Sequence, residues 1–143
     1  MKRIGILYHP MIEAAHIKAR EVEELLGSSG VSTWLCSAWE GEMASEQVNN
    51  SDLILSVGGD GTILRSAQVA VPHQTPITGI NLGKLGFMTE LSTDEASDKL
   101  PALLAGEGWI DERVMLEAEI STADQNIPSV FHALNDVVVA RGS

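Results

Sequence analysis

The stretch that most constrains the fold is a short apolar segment that runs into a glycine-rich turn. Residues 53–62 read LILSVGGDGT, and a helical pattern over residues 63–71 follows at once. A strand, a glycine turn and a helix in this order point backbone N–H groups and the positive end of the helix at an anion. Glycine suits such a turn because it tolerates positive φ and has no Cβ to hold a phosphate away. We therefore predict a phosphate-binding turn made of Gly58, Gly59, Gly61 and Thr62, with Thr62 as the N-cap of the helix.

Asp60 is the unusual member of this turn, because a carboxylate repels a phosphate. It can bind a metal ion that also holds the phosphate, or it can accept the proton of an attacking hydroxyl. The alternative is that Asp60 only closes an Asx-type turn, as aspartate often does beside glycine. A single Asp-Gly pair favours that alternative, whereas three glycines around one aspartate after a buried strand favour the phosphate site.

The composition indicates a globular protein with a strong acidic imbalance. Of 143 residues, 44% are hydrophobic, but no apolar run approaches the roughly 20 residues that span a bilayer. The net charge of −11 argues against nucleic acid and anionic membranes as partners, and a bound nucleotide would need Mg²⁺, backbone N–H groups or basic side chains from elsewhere. The single cysteine, Cys36, excludes an intrachain disulfide and fits a cytoplasmic protein. The four histidines lack metal-ligand spacing, so we predict no metal-ligating residues.

Strand and helix patterns alternate over the first 111 residues. Strands are predicted over 2–8, 31–35, 52–57 and 76–80, and helices over 13–26, 63–71 and 93–105, whereas residues 36–47 fit either a loop or a short helix. Ser92 and Glu95 have the spacing of a capping box, and Pro101 is expected to kink or restart the helix that they open. This order predicts an α/β fold with an open, mostly parallel, Rossmann-like sheet and helices on both faces. Ligands of such sheets lie beyond the carboxyl ends of the strands.

A second loop, residues 81–91, follows the fourth strand and falls at the same edge of the sheet as the glycine turn. It reads NLGKLGFMTEL, and its two glycines allow the backbone to approach a ligand. Phe87 could stack on a planar base, or Phe87 and Met88 could fold back into the core, and the spacing favours neither. Lys84 could reach a phosphate, although an isolated surface lysine is usually only solvated.

The pattern changes near residue 112. Apolar and acidic residues alternate over 116–120, residues 121–129 form a turn-rich loop, and residues 131–140 predict a further strand. We therefore predict an α/β nucleotide-binding domain over 1–111 and the start of a β-rich domain over 112–143. A lone hairpin is marginal in water. We expect the chain to be a piece of a longer protein whose second domain is incomplete here.

Taken together, these stretches resemble the NAD kinase family. The glycine turn is similar to that family's first signature, which diacylglycerol and sphingosine kinases share and phosphofructokinases nearly share. Residues 85–87, LGF, followed by a polar residue and Glu90, are similar to its second and more specific loop. Residues 133–136, ALND, resemble its third signature, in which the family usually has Glu after Asn. The three occur in the family's order, and the resemblance covers nearly the whole chain.

The resemblance implies phosphorylation of NAD at the 2′-hydroxyl of its adenosine ribose, with ATP or polyphosphate as the donor. Asp60 would accept the hydroxyl proton, while Mg²⁺ and the turn's N–H groups would hold the donor phosphates. Phe87 would form a wall for the adenine, and Asn135 and Asp136 would bind ribose hydroxyls or the adenine edge. Without the family, Asn135 and Asp136 would rather be a strand-to-strand polar contact or an exposed bulge. The resemblance also implies a homo-oligomer, a dimer or a tetramer, and this piece alone should show little or no turnover.

Two alternatives remain open from the sequence. A lipid kinase of the same superfamily typically carries a Gly-Asn-Asp run in the loop after strand four, where this chain has residues 85–87, LGF. A nucleotide-binding module without catalysis would keep the turn but would not need Asp60.

Overall fold

A parallel sheet lies at the centre of the first part of the chain. The computed structural model describes residues 1–83, 86–121 and 130–140, and the chain divides into two compact units, Met1–Ile110 and Asp111–Ser143. The sheet consists of β1 (Arg3–Tyr8), β2 (Ser32–Ser37), β3 (Leu53–Gly58), β4 (Ile77–Asn81) and β5 (Leu91–Ser92). Its strand order is β2-β1-β3-β4-β5, and every neighbouring pair is parallel. The predicted α/β fold with a parallel sheet is confirmed; β5, only two residues long, was not predicted.

Helices connect the strands from β1 to β4, and a further helix follows β5. They are α1 (Glu13–Ser28), α2 (Gly41–Gln47), α3 (Asp60–Ala70) and α4 (Thr93–Leu104), and a 3-10 turn, Val71–His73, follows α3. The segment that the sequence left open between loop and helix contains α2. Among the described residues, no helix is both long enough and apolar enough to cross a membrane.

The helices cover both faces of the sheet, as predicted. As a consequence, β3 is buried along its whole length. Leu53, Leu55 and Val57 point to one face, where residues of α1 and α4 complete the core. Ile54 points to the opposite face and packs in a second core with residues of α2 and α3. Two buried cores on opposite faces of one sheet require strands that are apolar at successive positions, and the run LILSVG of β3 has this pattern.

Helix α1 buries the face that its sequence pattern predicts. The pattern predicts a stripe of Ala15, Ala19, Val22, Leu25 and Leu26, and all of these are buried except Leu25, which is partly buried. Ile17, which does not fit the stripe, is half exposed. The spacing of three and four residues places these small and branched side chains on one side of the helix. The core of the first face therefore follows directly from the 3.6-residue period.

Helix α4 begins with the predicted capping box. The Ser92 hydroxyl accepts a hydrogen bond from the Glu95 N–H at 3.3 Å, and the Glu95 carboxylate accepts one from the Ser92 N–H at 3.0 Å. Of the two outcomes expected at Pro101, a kink or a restart, the restart is wrong, since α4 runs as one element through Pro101 to Leu104. Buried Ala96 and Leu100 hold the helix on the sheet, and this packing outweighs the backbone hydrogen bond that proline cannot make.

The second unit contains an antiparallel hairpin of β6 (Leu116–Glu119) and β7 (Val130–Ala133). Glu117 and His132 face each other in this register, and their side chains lie 3.1 Å apart. The prediction of a strand over 131–140 is wrong in length, because regular pairing ends at Ala133. Residues 135–140 are exposed, so their apolar side chains have no buried surface to hold them in a strand. The predicted loop over 121–129 lies, beyond its first residue, outside the described residues.

The capping box of α4 gives the stability a defined pH dependence. The Lys99 ammonium, together with hydrogen bonds from Ser92, lowers the pKa of Glu95 from 4.5 to about 2. A carboxyl group with a depressed pKa stabilises the fold above its unfolded value and loses this contribution as the pH falls through the folded value. We expect the parent to have a higher free energy of unfolding than Glu95→Gln at pH 6. At pH 3, this difference in free energy of unfolding should be smaller.

Urea unfolding of both proteins at the two pH values measures this difference. Glutamine keeps the hydrogen bonds of the capping box and removes only the charge. As a matched control, Lys99→Met should raise the midpoint of the Glu95 carboxyl titration followed by NMR. A difference between parent and Glu95→Gln that is equal at both pH values would contradict the prediction.

Candidate functional site

The order of the strands places a crevice between β1 and β3. The chain passes from β1 to β2 on one side and from β3 to β4 on the other, so the direction of connection reverses between these two strands. Ligands of open α/β sheets bind at this position, beyond the carboxyl ends of the strands. His9, which follows β1, donates its backbone N–H to the carbonyl of Val57 at 3.0 Å. The glycine turn after β3 therefore lies at the edge of the crevice.

The glycine turn is tighter than the sequence predicted. Gly59 is the N-cap of α3, and Asp60 is already the first helical residue. The prediction that Thr62 is the N-cap is wrong: Thr62 is the third residue of the helix and is fully buried. Its hydroxyl instead accepts a hydrogen bond from the Gly59 N–H at 3.5 Å. Hydrophobic periodicity starts only at Ile63, so it could not show the first turn of the helix.

Close packing, and not positive φ, explains the glycine at position 58 of the turn. A Cβ at Gly58 would overlap the Thr62 hydroxyl and come within 3.2 Å of the His9 Cβ. The described residues with positive φ do not include Gly58, Gly59 or Gly61. A Cβ at Gly59 or Gly61 would meet open space. The backbone at these two positions is therefore accessible to a ligand at the N-terminus of α3, which is the geometry that suits a phosphate.

Asp60 is held by the second loop. Its Oδ2 accepts a hydrogen bond from the Phe87 N–H at 3.1 Å, and its Oδ1 accepts one from the Met88 N–H at 3.2 Å. An Asx-type turn does not account for these contacts, because the two donors lie 27 and 28 positions further along the chain. The carboxylate also lies in the first turn of α3, where the helix dipole favours a negative charge. The two loops that the sequence placed at one edge of the sheet are thus in contact through Asp60.

Phe87 presents its side chain to solvent. The side chain is 99% exposed, so the alternative that Phe87 folds back into the core is wrong, while Met88 is partly buried. The Phe87 N–H donates to Asp60, so the residue that carries the exposed ring is attached directly to the carboxylate. Lys84 and Leu85 lie outside the described residues, and the predicted phosphate contact of Lys84 stays a prediction.

The second loop is fastened to the glycine turn and to the end of β4. The Leu82 N–H donates to the carbonyl of Gly58 at 3.1 Å. Asn81 and Thr89, both buried, are joined by a hydrogen bond from Asn81 Nδ2 to Thr89 Oγ1 at 3.0 Å. The Thr89 oxygen also accepts from the Gly86 N–H at 3.3 Å. The loop that reaches Asp60 therefore has polar attachments within the buried part of the sheet.

Asn135 and Asp136 belong to the second unit. They lie after the last residue of β7 and not within a strand, and both are exposed. The interpretation as a strand-to-strand contact is therefore wrong. Exposure leaves their polar groups available to a ligand, and their role in binding ribose or adenine stays a prediction.

His9 is a residue near the turn to which the sequence analysis assigned no role. Its ring lies 4.5 Å from that of Trp39, and the Arg65 guanidinium lies 4.1 Å above the Trp39 ring. His9 and Arg65 therefore both contact the Trp39 ring. Only the strand order could have indicated that His9 lies near the glycine turn, and the sequence does not give that order. In the described ranges, no three His, Cys, Asp or Glu side chains are grouped so that they could hold a metal ion.

The turn yields a matched pair of stability predictions. Gly58→Ala should lower the free energy of unfolding by roughly 1–3 kcal/mol, because its Cβ would overlap buried Thr62. Gly61→Ala, in the same turn, should not lower it, since its Cβ meets open space within a helix. Urea denaturation of the two variants and the parent measures both values. Equal losses in the two variants would contradict the assignment of close packing to Gly58 alone.

Comparisons with known proteins agree with this architecture. Residues 4–108 match the family model of the ATP-NAD kinase N-terminal domain. The chain is 48% identical over 141 residues to NAD kinase of Dehalococcoides mccartyi, which covers 99% of this chain and 50% of that protein. It is 35% identical to NAD kinase of Chloroflexus aurantiacus, with 99% and 51% covered. The chain thus spans about half the length of the curated relatives that it matches.

A solved structure supports the fold independently. The crystal structure of yeast NADH kinase complexed with NADH superimposes with a TM-score of 0.76 and covers 94% of this chain and 47% of that one. Because the sequences are only 21% identical, this similarity speaks for the fold alone.

Proposed function

The chain belongs to the NAD kinase family, and we propose that its protein transfers a phosphoryl group from ATP to the 2′-hydroxyl of the adenosine ribose of NAD. Polyphosphate is the alternative donor. The observation that carries this proposal is the Asp60 carboxylate, fixed at a glycine turn by the N–H groups of Phe87 and Met88. The lipid-kinase alternative finds no support, because the family model that matches is that of ATP-NAD kinases.

Asp60 is proposed as the general base. An alcohol is a weak nucleophile, and a carboxylate beside it can accept its proton as the new O–P bond forms. Each oxygen of the Asp60 carboxylate accepts one backbone N–H and keeps further acceptor capacity. The side chain can thus be held in place and still accept a hydrogen bond from the ribose hydroxyl. The presence of Asp60 counts against a binding module without catalysis.

The glycine turn is proposed to hold the donor phosphates. Gly59 and Gly61 leave open space for a phosphate at the N-terminus of α3, where the first turn of the helix offers N–H groups and a positive dipole. Gly58 and Thr62 stabilise the turn. Gly58 has no side chain, so the Thr62 hydroxyl can approach, and that hydroxyl accepts a hydrogen bond from the Gly59 N–H. Phosphoryl transfer asks mainly for positioning and for neutralisation of charge.

Mg²⁺ is proposed to accompany the donor phosphates. The chain carries a net charge of −11, so the positive charge that a triphosphate needs has to come largely from a cation. Mg²⁺ prefers oxygen ligands, and the donor phosphates would supply them at the turn. Bound Mg²⁺ would neutralise the charge that develops on the transferred phosphoryl group.

Phe87, Asn135 and Asp136 are proposed to bind the dinucleotide. The exposed ring of Phe87 offers a flat apolar wall for the adenine. Asn135 and Asp136, both exposed, offer one donor and several acceptors to the ribose hydroxyls or the adenine edge. We further propose that the protein is a cytoplasmic homo-oligomer, a dimer or a tetramer, that binds neither nucleic acid nor membrane. The family membership and the acidic charge support these assignments.

The base assignment predicts a specific loss in Asp60→Asn. Removing a general base costs typically 10²–10⁴-fold in rate, so we expect kcat to fall by at least about 100-fold, with KM for NAD within about threefold of the parent. NADP formation from NAD and Mg-ATP by the full-length gene product measures both constants. The control is Asp94→Asn, which changes an exposed aspartate in the first turn of another helix and should leave kcat unchanged.

The outcomes separate the reaction from the residue. If Asp60→Asn stays as active as the parent, the reaction stands and Asp60 is only a turn residue. If a folded parent makes no NADP with ATP or with polyphosphate, the proposed function is wrong. Removal of divalent cations by EDTA should abolish NADP formation, and full activity in EDTA would contradict the role of Mg²⁺.

A further inference from the structure

Thr89 is a buried polar residue whose hydroxyl connects two parts of the site. It is only 5% exposed, and its Oγ1 accepts one hydrogen bond from Asn81 Nδ2 and one from the Gly86 N–H. Buried hydroxyls in folded proteins have partners, but the choice of partners is informative. Here one partner is the last residue of a central strand, and the other opens the run of backbone that contacts Asp60.

The attachment of Thr89 to the sheet is close and rigid. A Cβ at Gly79 of β4 would lie 2.9 Å from the Thr89 Cγ2 and 3.0 Å from its Cα. Thr89 can therefore lie directly on β4 only because residue 79 is glycine. Asn81, two residues further along β4, is itself buried, and its Oδ1 accepts the Gly83 N–H at 3.0 Å. Both contacts fix the position of the Thr89 hydroxyl relative to β4.

Three consecutive N–H groups then connect Thr89 to Asp60. The Gly86 N–H donates to Thr89, and the next two, those of Phe87 and Met88, donate to the two oxygens of Asp60. Successive N–H groups of this kind form a concave site for an anionic group. Gly86 also lies so close that a Cβ there would overlap the Asp60 carboxylate. A shift of the Gly86 N–H would therefore move both donors of the carboxylate.

We propose that Thr89 is a positioning residue for Asp60. Its hydroxyl fixes the start of the segment from Gly86 to Met88, and this segment aims the Asp60 carboxylate at the substrate hydroxyl. The expected effect on catalysis rests on the proposed function. The positioning of Asp60 by Thr89 does not depend on that function. Small misplacements of a reacting group, of about 1 Å, can cost about 100-fold in rate.

Two substitutions separate the hydroxyl from packing. Thr89→Val keeps the shape and removes the hydroxyl, so the Gly86 N–H and the Asn81 amide lose an acceptor. Thr89→Ser keeps the hydroxyl and removes the methyl group that packs on Gly79. In the full-length gene product, we expect Thr89→Val to lower kcat by about 10–100-fold with KM for NAD within about threefold, and Thr89→Ser to keep kcat within about threefold of the parent.

A packing role predicts the opposite order. If Thr89→Ser loses as much kcat as Thr89→Val, or if Thr89→Val equals the parent, the proposal is overturned. In the Asp60→Asn background, Thr89→Val should cause no further loss, because the hydroxyl acts through Asp60. Should Thr89→Val fail to fold, Thr89→Cys replaces it: cysteine and serine differ in one atom, and the weak acceptor sulfur should reproduce the loss of kcat.

Amide hydrogen exchange tests the positioning without any activity. Exchange of the Phe87 and Met88 amides, followed by NMR in the full-length gene product, should be faster by about tenfold or more in Thr89→Val and unchanged in Thr89→Ser. Equal exchange in all three proteins would overturn the proposal even if they are active. If the parent makes no NADP but the exchange rates differ as expected, the proposed function fails and the positioning of Asp60 by Thr89 stands.

Discussion

The hydrogen bonds from the Phe87 and Met88 N–H groups to the Asp60 carboxylate are the interaction on which the site depends. They join two loops that lie more than twenty residues apart in sequence, and they do so at a position where a free carboxylate would repel a phosphate. Each loop is glycine-rich for its own reason. Gly58 lets the turn close on Thr62, and Gly86 lets the second loop reach the carboxylate. Neither loop alone would give Asp60 a defined orientation.

The sheet brings these loops together through the register of β3 and β4. Gly58 pairs with Asn81 at the carboxyl ends of the two strands, and Ser56 pairs with Gly79 two residues earlier in each strand. At Gly79, both Ile63 of α3 and Thr89 of the second loop approach the strand more closely than a Cβ would allow. The helix that carries Asp60 and the loop that orients it therefore converge on a single residue without a side chain. This convergence explains why position 79 of β4 is a glycine.

The features that local sequence determines were predictable, and those that depend on pairing between distant segments were not. The buried stripe of α1 and the capping box of Ser92 and Glu95 follow from spacings of three and four residues, and the structure confirms both. The first turn of α3 carries no periodic apolar residue, so Thr62 was misplaced as its N-cap. Asp60 could be singled out by its chemistry, but its N–H donors could not be identified, because they are backbone groups and leave no mark in the side-chain sequence. The length of β7 was overestimated because residues 137–139 are apolar yet exposed, and a strand pattern requires a surface to bury it.

The choice of neutral donors for Asp60 follows from the charge of the whole chain. With 20 acidic and 9 basic residues, this chain offers little positive charge to the triphosphate that we propose as the donor. An arginine paired with Asp60 would orient the carboxylate, but it would also cancel the negative charge that attracts a divalent cation and accepts a proton. Backbone N–H groups orient the same carboxylate and carry no net charge. The second loop, which we propose that Thr89 holds on Gly79 of β4, can therefore fix the geometry of Asp60 while leaving its charge available for the proposed phosphoryl transfer.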